Sequence, residues 1–333
     1  MSLPTIPRSS RLAAAPAFGL LTATALAAFA VALSVGSVAL DVTAIARALL
    51  GGADATPRMI VLDLRLPRAV AAFATGGSLA LAGALLQVLL RNPLADPYVL
   101  GVSGGAAVGA LLTILVGAAA WMTPLGAFGG AFVSTVMVFA LSRGDGAWSP
   151  TRLLLTGVIV AAGWGALVAL LLTLAPDAQL RGMLFWLIGD LSAPPIAWSA
   201  LAMLVLGVGI VLPFARDLNA LSRGAVAAAA LGVATTRLPW LLFGLSAALT
   251  AVAVTTAGAI GFVGLIVPHA VRLMLGNDQR VILPACALAG GALLLVADTL
   301  SREVAAPTQL PVGVVTALIG VPSFLYLLTR ERR

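Results

Sequence analysis

Two residues in this 333-residue sequence form a candidate pair for nucleophilic catalysis. Ser103 stands among glycines in Gly101-Val102-Ser103-Gly104, and His269 is the single histidine. A histidine beside a serine hydroxyl can take its proton and activate it. Short Gly-Ser strings are common in apolar helices, so a packing serine and an interfacial histidine is the favoured reading. One histidine and one cysteine, Cys286, are too few for a usual transition-metal site. The lone cysteine also excludes an intrachain disulfide, and its apolar surroundings suit a small packing residue. Every one of the 19 cationic side chains is arginine. A phosphate-binding loop needs a lysine to reach the β- and γ-phosphates, so the standard P-loop ATPase is excluded. A proton or sodium relay usually puts a carboxylate near the bilayer centre. The candidates Asp190, Asp298 and Glu303 stand at the ends of apolar segments instead.

The elements that would carry these residues are membrane helices. The chain is 61% hydrophobic and 9% charged, against about 25% charged in soluble domains. A spanning helix takes about 20 apolar residues. Ten such runs fill the sequence, near 13–40, 69–90, 98–118, 121–141, 152–175, 196–214, 238–258, 260–275, 281–300 and 311–329. The expected fold class is all-α: one polytopic transmembrane domain over residues 1–333, with no room for a separate soluble domain. The run after Arg8 and Arg11 exceeds a signal-peptide core of roughly 7–15 residues, so it is expected to stay in the mature protein as helix 1.

Arginine placement sets an expected orientation. With the N-terminus in the cytoplasm, thirteen arginines fall inside: Arg8, Arg11, Arg91, Arg143, Arg152, Arg216, Arg223, Arg237, Arg272, Arg280, Arg330, Arg332 and Arg333. Six fall outside: Arg47, Arg58, Arg65, Arg68, Arg181 and Arg302. The asymmetry satisfies the positive-inside rule and puts both termini in the cytoplasm. The arginines are scattered at segment ends, which argues against nucleic acid as the partner of the net +7 charge. Small residues recur every fourth position at Gly76/Ala80/Ala84, Gly101/Gly105/Gly109 and Gly157/Ala161/Gly165/Ala169. Such stripes let helix backbones approach closely. No internal repeat is visible.

Four segments together resemble one family. The first holds Arg65-Leu66-Pro67-Arg68, Gly83-Ala84-Leu85-Leu86-Gln87, Arg91-Asn92-Pro93-Leu94-Ala95-Asp96-Pro97 and Leu100-Gly101-Val102-Ser103-Gly104-Gly105-Ala106. The second is Phe185-Trp186-Leu187-Ile188-Gly189. The third runs from Gly258 to His269, with Arg272-Leu273. The fourth is Ala297-Asp298 followed by Leu310-Pro311-Val312-Gly313-Val314-Val315-Thr316 and Gly320. In order, spacing and total length they resemble the iron-chelate, haem and vitamin B12 permease family of ABC importers. The Gly101–Gly104 string is also similar to the nucleophile signature of rhomboid proteases. There the histidine helix carries small residues after its histidine, and Arg272 occupies the first of those positions here.

The permease resemblance implies a vitamin B12-permease-like bundle working as a homodimer in the bacterial inner membrane. Two cytoplasmic ATPase subunits, which hold the ATP and magnesium, and one periplasmic binding protein would complete it. This chain would bind no cofactor or metal and catalyse nothing itself. Residues 218–233 fall where the family has short coupling helices on the ATPase. Leu218, Leu221, Arg223, Gly224, Leu231, Gly232 and Val233 are the expected contacts, although the family's Leu-Gly-Glu-Glu-like stretch reads Leu221-Ser222-Arg223-Gly224 here and its acidic pair is missing. Arg65, Arg68 and Arg302 stand at positions that dock glutamates of the binding protein. Asn92 and Leu94 match the cytoplasmic gate. Arg181, Phe185 and Trp186 lie near the expected entrance and suit a flat anionic cargo such as haem through charge pairing and stacking. His269 lies in a motif shared across cargoes, so a structural role is expected. Haem or another iron chelate is the first expectation for cargo. Cobalamin is the alternative within the family, and an ion-coupled secondary transporter is the alternative outside it.

Overall fold

In hydrocarbon, every backbone N–H and C=O must bond within the chain, so apolar runs of this length fold as helices. The computed structural model describes residues 9–36, 38, 40–52, 54–142, 149–192, 196–306 and 308–331. Four arginines used for the expected orientation, Arg8, Arg143, Arg332 and Arg333, lie outside the described residues. In chain order the helices are α1 (Ser9–Ser34), α2 (Val42–Leu50), α3 (Ala55–Met59), α4 (Leu66–Leu89), α5 (Val102–Leu115), α6 (Met122–Ser142), α7 (Pro150–Leu174), α8 (Asp177–Ile188), α9 (Ala197–Val211), α10 (Ala215–Leu221), α11 (Ala225–Ala230), α12 (Leu238–Ala257), α13 (Val263–Leu275), α14 (Gln279–Glu303) and α15 (Val312–Glu331).

Each of the ten expected spans is helical. Among the described residues, seven helical runs are long and apolar enough to cross a bilayer, and three shorter apolar helices, α5, α13 and α15, complete the ten. The ends differ from the hydropathy reading for local reasons. The first span stops at Ser34, and Asp41 starts the separate helix α2 by accepting from the Val42 amide at 2.8 Å. The second begins earlier, because a π-helical segment, Ile60–Arg65, joins α3 to α4 in one 35-residue run. The third is split at Gly101, whose φ of +70° turns a 3₁₀ segment, Pro97–Leu100, into α5. Helix α8 escaped notice because Asp177, Gln179 and Arg181 dilute its apolarity.

Helix α4 is the hub, with 20 of its 24 residues buried. Helices α9, α12, α13 and α14 pack around it. Lipid tails are as apolar as leucine, so association depends on close packing. A Cβ on Gly76 would overlap the Gly290 carbonyl of α14, and one on Gly83 would overlap the Gly264 carbonyl of α13. Pro268 lacks the amide hydrogen that would bond to the Gly264 carbonyl. That carbonyl instead lies against Gly83, where only a glycine leaves room. Gly105 and Gly109 meet Gly130 and Gly126 of α6 in the same way. The stripe on α7 behaves differently: Gly157 packs on Val99, but a Cβ on Gly165 would meet open space. Helix α7 shows most of its surface outward.

Helices α4 and α14 run antiparallel. One end of the bundle therefore collects Arg65, Arg68 and Arg302, and the other collects Arg91, α10 and the start of α14. These are the arginine end and the elbow end below.

Candidate functional site

The arginine end is a buried charge network. The Arg65 guanidinium donates through Nη1 to the Leu33 carbonyl at 2.6 Å and the Ser34 carbonyl at 2.9 Å, and through Nη2 to the Val38 carbonyl. It thus satisfies the last carbonyls of α1, which have no amide of their own to accept from. Arg68 grips Asp298, with Nε at 3.1 and 3.0 Å from the two carboxylate oxygens and Nη2 at 2.9 Å from Oδ1. Its Nη1 donates to Gln309 at 3.0 Å. Arg302, one turn along α14, brings Nε to 3.4 Å from the other Asp298 oxygen and donates to the Val35 carbonyl at 3.2 Å. Asp298 is 2% exposed, while the side chains of Arg68 and Arg302 keep 12% and 10%. The structure thus brings together all three arginines singled out in the sequence, with their donors engaged inside the chain. Arg47 and Arg58 are exposed cations at the same end. Asp298, the carboxylate that organises the cluster, was visible in the sequence as an acid at a segment end and as part of the fourth family segment, with no role attached to it.

The elbow end is built on α10 and α11. Leu218 and Leu221 are buried and hold α10 to the bundle. Asn219 fixes its position: its Nδ2 donates to Asp278 at 2.8 Å, and its Oδ1 accepts from the Gln279 amide at 2.9 Å. Gly224, with φ of +119°, turns the chain into α11, and Gly232, with φ of +79°, turns it out again. Arg223 is exposed, as are Val226 at 87% and Leu231 at 70%, while Val233 is half-buried. The result is an anchored helix followed by a projecting one, with apolar side chains facing outward. Beside it, the Asn92 side chain accepts from the Leu94 amide at 2.9 Å, a local turn that ends α4 firmly. Asn92 is half-buried and Leu94 is exposed.

Between the two ends lies a junction that sequence reasoning missed. The Tyr98 hydroxyl donates to the Ile260 carbonyl at 3.0 Å and accepts from the Ile260 amide at 2.8 Å. Ile260 belongs to the break Gly258–Phe262 between α12 and α13, where both Gly258 and Phe262 have positive φ. An aromatic residue held there costs about 1–3 kcal/mol, so its neighbours must impose the conformation. Asp96 caps the 3₁₀ segment by accepting from the Tyr98 amide at 2.8 Å.

Helix α8 ends at the same level. Gly189 follows it: the Asp190 amide donates to the Ala257 carbonyl at 2.9 Å, and the Val312 amide donates to the Gly189 carbonyl at 3.1 Å. This knot ties α8, α12 and α15 together. On α8, the Arg181 guanidinium lies over the Phe185 ring at 5.6 Å, with Arg181 exposed and Phe185 half-buried. Trp186 packs against the core. His269 is 2% exposed, and its ring sits edge-on to Phe324 of α15.

The FecCD transport family profile matches residues 24–330. The chain belongs to the FecCD transport family. It is 44% identical over 286 residues to the cobalamin import system permease protein of Halobacterium salinarum, covering 84% of this chain and 76% of that protein. It is 41% identical over 287 residues to the hemin transport system permease protein of Yersinia pestis, covering 82% and 84%. Among solved structures, an inward-facing metal-chelate-type ABC transporter superposes with a TM-score of 0.84 and 32% identity, over 94% of this chain and 98% of that one. This FecCD chain is therefore a polytopic ABC-importer permease subunit, in agreement with the motif reading. The ion-coupled transporter alternative gives way to it.

Proposed function

We propose that this FecCD permease forms the translocation path of an ATP-driven importer for haem or another iron chelate, as a homodimer in the inner membrane. The anchored-and-projecting pair α10–α11 carries this reading. A rigid elbow bolted to α14 through Asn219, with Val226 and Leu231 facing outward, suits a cytoplasmic ATPase that drives the bundle by rigid-body motion. On this reading the elbow end and both termini are cytoplasmic. ATP and magnesium sit on two separate ATPase subunits, and this chain holds no cofactor.

The arginine end then faces the periplasm and receives the binding protein. Arg65, Arg68 and Arg302 are largely buried and held by carbonyls and by Asp298, so on this reading they shape the docking face from within, while the exposed Arg47 and Arg58 at the same end present guanidinium groups to carboxylates of the partner. The outward faces of α7 and α15 supply surface for the second copy. Asn92 and Leu94 close the path at the cytoplasmic side. Haem is favoured as cargo by Arg181 stacked on Phe185, a cation and an aromatic face that suit a flat anionic ring system. Relatives named for both hemin and cobalamin keep cobalamin as the second reading.

The test is ATP hydrolysis by the permease reconstituted with its ATPase and binding protein, measured with haem, ferric siderophores and cobalamin in turn. Stimulation by haem alone is expected. Stimulation by cobalamin and none by haem would overturn the cargo assignment.

A further inference from the structure

A cavity of about 780 Å³ opens at the elbow end. Its wall combines the end of α4, the elbow and the α13–α14 turn, and includes Gln87, Arg91, Arg223, Arg272, Asp278 and Gln279. Three guanidinium groups thus face one carboxylate. That carboxylate is already engaged, because Asp278 accepts from Asn219 at 2.8 Å and from the Arg280 amide at 3.1 Å. Arg272 donates to the Gln87 oxygen at 3.0 Å. Among the described residues, no carboxylate lies within ion-pair distance of Arg91 or Arg223.

Two further features point to an occupant. Arg91 has φ of +50°, the left-handed position just past a helix end where glycine is usual. A glycine would end α4 without strain, so the arginine is held there at a cost to folding. Its Nη1 reaches 3.8 Å from the position of a Cβ on Gly224, at the turn of the elbow. Gln279, 3% exposed, lines the same cavity, and its Oε1 has no hydrogen-bond partner. The cavity therefore offers guanidinium donors for an anion and one buried acceptor for an N–H.

We infer that this cavity receives an acidic side chain of the partner ATPase, clamped by Arg91 and Arg223. Arginine grips a carboxylate through paired N–H donors, and a peptide also brings N–H donors that could answer the Gln279 Oε1, which a bare phosphate ion does not. The contact would fix the angle at which the ATPase meets the elbow. This inference rests on the reading of α10–α11 as the ATPase-docking segment.

The absence of lysine makes the test clean. A carbodiimide joins a carboxylate to an amine at zero length, so Arg91→Lys and Arg223→Lys each place a single reactive lysine in the cavity. Each variant is co-purified with the ATPase, treated, and mapped by mass spectrometry, with Arg47→Lys at the arginine end as background. An amide between residue 91 or 223 and an aspartate or glutamate of the ATPase is expected, and Arg91→Glu with Arg223→Glu should weaken co-purification by roughly tenfold. An intact complex whose lysines couple only to Asp278 of the same chain, or to nothing, would overturn the contact while leaving the docking reading in place. A parent chain that does not co-purify with the ATPase would overturn the docking reading and this contact with it.

Discussion

Arg68 and Asp298, 230 residues apart in sequence, meet through three hydrogen-bond contacts of 2.9–3.1 Å at the arginine end. Arg302 shares the same carboxylate. One buried acid therefore orients two cations that would otherwise repel each other. Asp298→Asn should lower stability by about 3–5 kcal/mol, because removing one partner of a buried pair leaves uncompensated charge. Thermal unfolding in detergent measures this. The same variant should weaken capture of the binding protein, read by immobilised-permease titration. Unchanged melting would show that the pair is dispensable.

Arg65 stitches the end of α1, through the Leu33 and Ser34 carbonyls, and the following segment, through the Val38 carbonyl, to the head of α4. Arg65→Ala should cost about 1.5–3 kcal/mol per the usual value of a hydrogen bond to a charged group, and Arg65→Lys should recover only part. Hydrogen exchange at the end of α1 should rise in Arg65→Ala before any change elsewhere in the bundle.

Gly83 and Gly264 touch backbone to backbone. Gly83→Ala should destabilise by about 1–3 kcal/mol through overpacking. Gly129→Ala on α6, where a Cβ meets open space, should leave the melting temperature unchanged or slightly raised. Equal effects at the two positions would contradict the packing described for α4 and α13.

The Tyr98 hydroxyl is both donor and acceptor for Ile260. Tyr98→Phe keeps the ring and removes both bonds, leaving a buried amide and a buried carbonyl without that partner. The expected cost is about 1–3 kcal/mol. Because this clamp holds the strained break at Phe262, the variant should also alter the rate of ATP-driven uptake in proteoliposomes more than Gly83→Ala, whose expected cost in stability is similar.

Much of the bundle was legible because hydrocarbon leaves the backbone so few options. All ten apolar runs became helices, and residues 218–233 became two short helices at one end. The stripe Gly76/Ala80/Ala84 marked the face of the central helix that meets α14. The stripe on α7 marked a face that nothing in this chain covers at Gly165. Hydropathy could not show α8, since a short helix with three polar residues looks like a loop. Nor could it show that Arg65 turns inward to cap α1, because an arginine at a segment end reads the same whether it faces water or a carbonyl. Asp298 and Tyr98 were hidden for another reason. Each acts on a partner more than 150 residues away, and that proximity comes from tertiary packing alone.

On the proposed function, this FecCD permease moves its cargo only when a separate ATPase drives it. The most direct measurement is uptake of haem into proteoliposomes holding the permease alone, or the permease with its ATPase and binding protein, with and without ATP and with and without a proton gradient. ATP-dependent accumulation requiring both partners, and indifferent to the gradient, is the predicted result. Accumulation by the chain alone in response to the proton gradient would contradict it.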